Sequence, residues 1–294
     1  MNEKKGTLLV ALAAISWSVA GVLGKYTTWT PLATAGMRAL IAACVMALAR
    51  GGVRVNLTRG NLLGAFGCAA TSIIFVIANK LTTAANAIVL QYAMPAVVIL
   101  LCWIFYHQKP SRRDAITCVC VLTGVIFCSL DDLSTDGMLG NLLAISTAFT
   151  FALVFFCSRL PDANAVDYNF LGLVLATPCL FFAFGSEECT FTLSNMLALL
   201  GMGVGLAGGY ILISKGMKIV SPLSAAITSN IEPVLNPIWV FVFLGEAPGA
   251  MAVIGAVIVL TTVTIYSLPR NTAERAATFL QSLQAKLLRI LKRK

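Results

Sequence analysis

The chain has 294 residues, of which 59% are apolar and only 11% charged, and its mean hydropathy is +0.89. A soluble domain carries about 25% charged residues, so a single aqueous core is an unsuitable home for this composition. Soluble enzymes, nucleic-acid modules and disordered chains are excluded as first readings, which leaves a polytopic membrane protein.

The net charge of +9 lies in short clusters between apolar runs: Lys4-Lys5; Arg50, Arg54 and Arg59; Lys109, Arg112 and Arg113; and the tail after Arg270. That distribution marks topology, and no nucleic-acid partner is expected. The nine cysteines fall mostly inside apolar runs, where they read as small packing residues. Cys189, beside Glu187 and Glu188, is expected to be the accessible thiol. Cys118 and Cys120 have no matching Cys/His pair, so no metal site is expected.

A spanning helix needs about 20 mostly apolar residues, and the sequence predicts ten. The first, 7–25, follows Lys4-Lys5 but ends in no small-residue cleavage site, so it is read as a span and not a signal peptide. Next come 32–49, with Arg38 inside it, then 60–78, 86–106 and 114–130. The second five are 138–158, 168–184, 194–214, 222–244 and 249–268. With both termini cytoplasmic, the inner segments carry 18 basic residues and the outer ones only Lys25 and Lys80. The outer loops collect Asp131, Asp132, Asp136, Glu187, Glu188 and Glu246, as the positive-inside rule demands.

Beyond the last span, Asn271 and Glu274 have capping-box spacing. Ala276, Leu280, Leu283, Leu287, Ile290 and Leu291 then form one apolar stripe flanked by Arg and Lys. A basic amphipathic helix on the anionic inner leaflet is the expected structure, making membrane lipid a partner of this tail.

The halves repeat. A shift of 138 places Lys80, Pro95 and Pro110 over Lys218, Pro233 and Pro248, and a shift of 134 places Gly6, Trp17 and Lys25 over Gly140, Phe151 and Arg159. Three segments follow: a first five-helix unit at 1–130, a second at 131–268 and the tail at 269–294. Five is odd, so the copies enter the membrane from opposite sides and form an inverted repeat, as in many secondary transporters. The fold class is therefore all-α membrane protein, with ten transmembrane helices.

Trp17-Ser18 ahead of Lys25, Arg38, the polar step Asn79-Lys80-Leu81-Thr82-Thr83-Ala84 and its counterpart Met217-Lys218-Ile219-Val220-Ser221-Pro222 form a distinctive set. With Ile231-Glu232-Pro233 and, one helix later, Gly245-Glu246, they resemble the drug/metabolite transporter superfamily, specifically its ten-helix EamA-type members. His107-Gln108 departs from that pattern where the first half would match Gly245-Glu246. The resemblance covers about 6–268 and implies a secondary transporter, often an exporter, of small organic metabolites in the plasma (inner) membrane.

The residues narrow the site. Glu232 lies about ten residues into its span, just ahead of Pro233 and Pro237, which are expected to break the helix by freeing carbonyls at Ser229 and Pro233. Ser229 and Asn236 share its face. A carboxylate there would bind an ammonium or guanidinium, or take up a proton, so Glu232 is the candidate for both substrate binding and proton coupling. The repeat brings Gln91, Tyr92 and Met94 over Ser229, Asn230 and Glu232. Trp17, Phe75, Tyr92, Phe151 and Tyr210 are aromatic candidates for cation–π contact. Ser72 is the repeat partner of Tyr210, and Ser214 lies one turn beyond it. Gly201, Gly203, Gly205, Gly208 and Gly209 give one span a smooth, close-packing face.

The favoured function is export of small amine-bearing metabolites, such as amino acids or organic cations, by alternating access, with proton exchange at Glu232. The cavity is expected between spans 1, 3, 4, 6, 8 and 9, with Arg38 acting as a packing anchor or a carboxylate partner. One alternative is a transporter of neutral or anionic metabolites in which Glu232 is structural. The other is an intramembrane enzyme using the outer Asp131, Asp132 and Asp136 cluster. No cofactor is expected, the partner is a small-molecule substrate, and the sequence leaves monomer and homodimer open.

Overall fold

The computed structural model describes residues 3–24, 26–82, 87, 90–128, 137–245 and 249–267. The expected tail helix, the acidic cluster Asp131, Asp132 and Asp136, and Glu246 lie outside the described residues. All regular structure among the described residues is helical: α1 (Glu3–Gly24), α2 (Pro31–Arg50), α3 (Arg59–Leu81), α4 (Met94–Tyr106), α5 (Arg112–Cys128), α6 (Met138–Phe156), α7 (Ala165–Ala176), α8 (Leu193–Gly216), α9 (Pro222–Ser229), α10 (Ile231–Leu244) and α11 (Ala250–Ser267). Among them, six helical stretches are individually long and apolar enough to cross a membrane: Glu3–Gly24, Pro31–Arg50, Arg59–Ala78, Met138–Arg159, Ala165–Ala183 and Leu193–Gly216.

Two expected spans are interrupted. The span predicted at 222–244 is divided between α9 and α10 at Asn230. The span predicted at 86–106 has a turn at Tyr92-Ala93 just before α4. The break in the second half therefore precedes Pro233, and α10 runs on through Pro237. Pro233 sits in the first turn of α10, where its missing N–H has no intrahelical partner to lose. α7 is short because Thr177-Pro178 converts its end into a 3-10 turn at Thr177–Ala183. Gly36 of α2 packs against that turn, and a Cβ there would lie 2.0 Å from the Leu180 amide nitrogen.

The helices interleave between the halves. The two most extensive contacts are α1 on α8 and α3 on α6, and α2 crosses α8 as α7 crosses α3. Exchanging the halves leaves this pattern unchanged. Atomic details follow it: a Cβ on Gly67 would lie 2.7 Å from the Thr150 carbonyl oxygen, and one on the repeat-related Gly205 would lie 3.1 Å from that of Ser16.

Two asparagine clasps obey the same symmetry. Thr58 caps α3 by accepting the Asn61 amide, as Thr192 caps α8 by accepting that of Asn195. The Asn61 side chain donates to the Asn56 carbonyl at 2.7 Å and accepts the Asn164 amide of the other half at 2.7 Å. Asn195 donates to the Thr190 carbonyl at 2.8 Å and accepts the Thr28 amide of the other half at 3.1 Å. Both side chains are buried. Each clasp ties a helix start to the opposite half, and the two stand 134 residues apart in sequence, as the repeat requires.

The outward faces are apolar, with Leu48, Phe66, Phe105, Leu139 and Val257 exposed. The buried core is rich in alanine, as expected where close helix approach replaces the hydrophobic drive that water would supply. Cys189, expected to be accessible, is buried in a cluster with Trp29, Ala33 and Leu199, because the loop before α8 folds over the start of α2. Asn61→Ala and Asn195→Ala should each remove about 1–3 kcal/mol of stability through lost buried hydrogen bonds. Thermal unfolding of the purified protein in detergent checks this, and the two variants should suffer comparably.

Candidate functional site

A cavity of about 540 Å³ lies between the halves. Helical spacing explains most of its wall. Trp17, Ala20 and Gly24 come from one face of α1, and Pro31, Thr34, Ala35 and Arg38 from one face of α2. α3 adds Thr71, Ser72, Phe75 and Val76, while α8 adds Met202, Leu206 and Tyr210 at four-residue intervals. Gln91 and Tyr92 enter from the turn before α4, Phe151 from α6, and Glu232 and Pro233 from the first turn of α10.

The aromatic floor is built around Trp17. Its ring centroid lies 5.3 Å from Tyr210 in an edge-on arrangement and 6.0 Å from Phe151, and its indole N–H donates to the Leu206 carbonyl at 3.4 Å. Gly209 makes this possible, since a Cβ there would lie 2.0 Å from the indole nitrogen. Trp17 and Phe151 are repeat partners, so their contact places the pseudo-symmetry axis at the floor. Below it, towards the start of α1, Val10, Ile213, Met217 and Val220 are buried and close the bundle. In the other direction the cavity reaches the loop between α1 and α2, where its lining residue Pro31 is exposed.

Glu232 is half-buried and is the second residue of α10, where the positive end of the helix dipole favours a carboxylate. Arg38 is half-buried in the same cavity, within electrostatic reach of Glu232. The guanidinium is thus a cavity group and not merely a packing anchor. The expectation of a cavity without span 2 is corrected accordingly: α2 turns a four-residue stripe into it. That stripe, at positions 31, 34, 35 and 38, was legible as helical periodicity. Gln91 Oε1 is buried without a hydrogen-bond partner, and the buried Tyr92 hydroxyl faces the Glu232 carboxylate.

The expected site residues separate cleanly. Trp17, Ser72, Phe75, Gln91, Tyr92, Phe151, Tyr210 and Glu232 are brought together. Ser229, Asn230 and Ser214 do not line the cavity. Ser229 donates to the Ala225 carbonyl at 2.9 Å and Asn230 to that of Ala226 at 2.9 Å, so both secure the end of α9. The Ser214 hydroxyl donates to the Tyr210 carbonyl and accepts from Asn169, joining α8 to α7. Asn236 belongs to α10, and its side chain lies outside what the structure describes. The α8 glycines pack as the sequence suggested: Gly201 lies against Leu23, Gly203 against Ile41 and Gly205 against Ser16. Sequence reasoning missed Met202, Leu206, Thr34 and Thr71, whose only signal is their helical register with residues it did select. No group of three or more metal-ligating side chains gathers among the described residues.

A central cavity between mirrored halves, wrapped in outward-facing apolar side chains, is the architecture of a multi-pass membrane transporter. The chain belongs to the EamA-like transporter family, which it matches at residues 4–130 and again at 138–268, once per repeat. It is similar to the pseudopaline exporter CntI of Pseudomonas aeruginosa strain UCBPP-PA14, with 25% identity over 87% of this chain and 94% of that protein. It also resembles mouse solute carrier family 35 member G1, with 27% identity over 69% of this chain, but spans only 60% of that protein's length. A crystal structure sharing 18% identity superposes with a TM-score of 0.77 over 89% of this chain and 96% of that one, and so has the same fold.

Gly209→Ala should push the indole from its seat and destabilise the protein by about 1–3 kcal/mol, the usual cost of overpacking. Adding Trp17→Phe, which removes the clashing ring nitrogen, should recover part of that loss. The coupling is measured by a double-mutant cycle of unfolding midpoints, and strict additivity would count against this contact.

Proposed function

We propose that the protein is a secondary transporter exporting small amine-bearing metabolites, such as amino acids or organic cations, across the plasma (inner) membrane. Ten crossings with both termini cytoplasmic, arranged as an inverted repeat, would let the halves rock around the central cavity. The observation that carries this reading is Glu232, a carboxylate at a helix break in an aromatic-floored cavity. Ammonium and proton would bind it in alternation, giving exchange of one for the other. Trp17 and Tyr210 would shape the floor and face the cation with their rings.

In this reading the structure is the state open towards the α1–α2 loop, the outer side, with the cytoplasmic side closed below Trp17. The glycine face of α8 against α1 and α2 would let the walls slide during the exchange. The exporter named among the relatives supports the outward direction. The rival reading, transport of a neutral or anionic metabolite with a structural Glu232, draws on the carboxylate's favourable place in the first turn of α10.

Thermal stability of the purified protein against a metabolite panel, at pH 6 and pH 8, separates the two. A ligand at ten times its Kd adds about 1.4 kcal/mol to the folded state. Amines should stabilise the wild type more at pH 8, where fewer protons compete for the Glu232 carboxylate. Glu232→Gln should abolish that stabilisation while leaving the unliganded protein folded. Equal stabilisation of both proteins by neutral or acidic compounds would establish the rival.

A further inference from the structure

We infer that the cavity selects a zwitterion, with Arg38 binding a substrate carboxylate while Glu232 binds the ammonium, so that an amine lacking an acidic group is a poor ligand. This rests on the reading that the cavity is the substrate site, and it narrows the substrate class within that reading.

The two charged residues share one cavity, come from different helices and interact electrostatically, yet they form no direct ion pair. Each helix is anchored separately. On the Arg38 side, α2 is pressed against α8, where a Cβ on Gly203 would lie 3.1 Å from the Arg38 carbonyl oxygen and 2.5 Å from the Ile41 side chain. On the Glu232 side, α10 starts at the break closed by Ser229 and Asn230. Trp239 then pins α10 to α1 through a 2.8 Å hydrogen bond from its indole N–H to the Ser18 hydroxyl. Two opposite charges on separately anchored helices, lining one cavity without pairing directly, suit a molecule carrying the complementary pair.

The remaining polar groups suit that molecule. An ammonium has three N–H donors, and in this cavity it meets, besides Glu232, Gln91 Oε1, a buried acceptor that has no protein partner. A carboxylate matches the planar fork of a guanidinium, which a simple cation would meet only as repulsion. The apolar walls formed by Phe75, Val76, Met202 and Leu206 offer no second charge to a side chain.

The test screens the twenty proteinogenic amino acids by thermal shift on the purified wild type. It then titrates the tightest binder against its decarboxylated amine and its deaminated acid; for leucine these are isoamylamine and 4-methylpentanoate. The amino acid should bind tenfold to a hundredfold more tightly than either analogue, the range expected for one charge-assisted hydrogen-bonded contact (~1.5–3 kcal/mol). Arg38→Gln should bring amino acid and amine to equal affinity while retaining amine binding, and Arg38→Lys should restore part of the preference. If the amine matches the amino acid in the wild type, the inference falls and the amine-transporter reading stands. If the deaminated acid matches it and Glu232→Gln is harmless, that wider reading falls as well. Failure of all twenty amino acids to stabilise the protein also overturns the inference.

Discussion

A helix that stops inside a bilayer leaves amides and carbonyls with nothing to bond to, and each such group costs several kcal/mol in hydrocarbon. The centre of this protein is arranged around two places where that happens, the junction of α9 with α10 and the turn before α4. At the first, Ser229 and Asn230 fold back on the carbonyls of Ala225 and Ala226, so side chains supply what the backbone lost. The interruption is tolerated because it faces protein and cavity, not lipid. It also delivers the reward of a fresh helix start at mid-bundle, whose dipole favours a carboxylate at Glu232.

Holding two such breaks next to each other requires unusually close helix packing, and small residues provide it. Gly209 admits the Trp17 indole, Gly203 admits the backbone of α2, and Gly36 lets α2 settle onto the 3-10 turn after α7. Replacing water by lipid removes the hydrophobic drive that would otherwise pull helices together, which leaves dispersion and hydrogen bonds to do so. The buried Asn61 and Asn195 clasps therefore carry more of the assembly than their number suggests. Each reaches across to the other half and fixes the helix ends between which the cavity lies.

Much of this was legible in the sequence, for reasons that also explain what was not. Apolar run length located the helices, because in a membrane that length is set by the bilayer. The offset between the halves identified Trp17 with Phe151 and Ser72 with Tyr210, and repeat partners meet where a pseudo-symmetry axis passes through the molecule. Proline misled, since its effect depends on its place in the helix: Pro233 in a first turn breaks nothing, and Asn230, an unremarkable residue in sequence, marks the break. Polar residues near a break were equally ambiguous. Ser229, Asn230 and Ser214 look like binding groups until the backbone carbonyls that occupy them are located. For Arg38 the sequence leaves packing anchor and carboxylate partner both open, because depth within a span says little about which way a helix face turns. The stripe 31, 34, 35, 38 carried that information, and it becomes meaningful only once α8 is known to cover the adjacent face.

The departure from symmetry matters as much as the symmetry. Two equivalent breaks would present two equivalent sites, but Met94 stands where Glu232 stands in the other half, and it is fully buried. One break thus carries a buried methionine beside the cavity-lining Gln91 and Tyr92, and the other a carboxylate that faces the cavity. The guanidinium that answers Glu232 is not its repeat partner; it comes from α2. Duplication accounts for the framework of paired helices, clasps and breaks, while the chemistry arises from single substitutions that the framework can absorb. A carboxylate introduced at a helix N-terminus costs little there, and one arginine in the same cavity offsets its charge without collapsing onto it. The scaffold can therefore stay nearly two-fold while the cavity it encloses has a distinct positive and negative end.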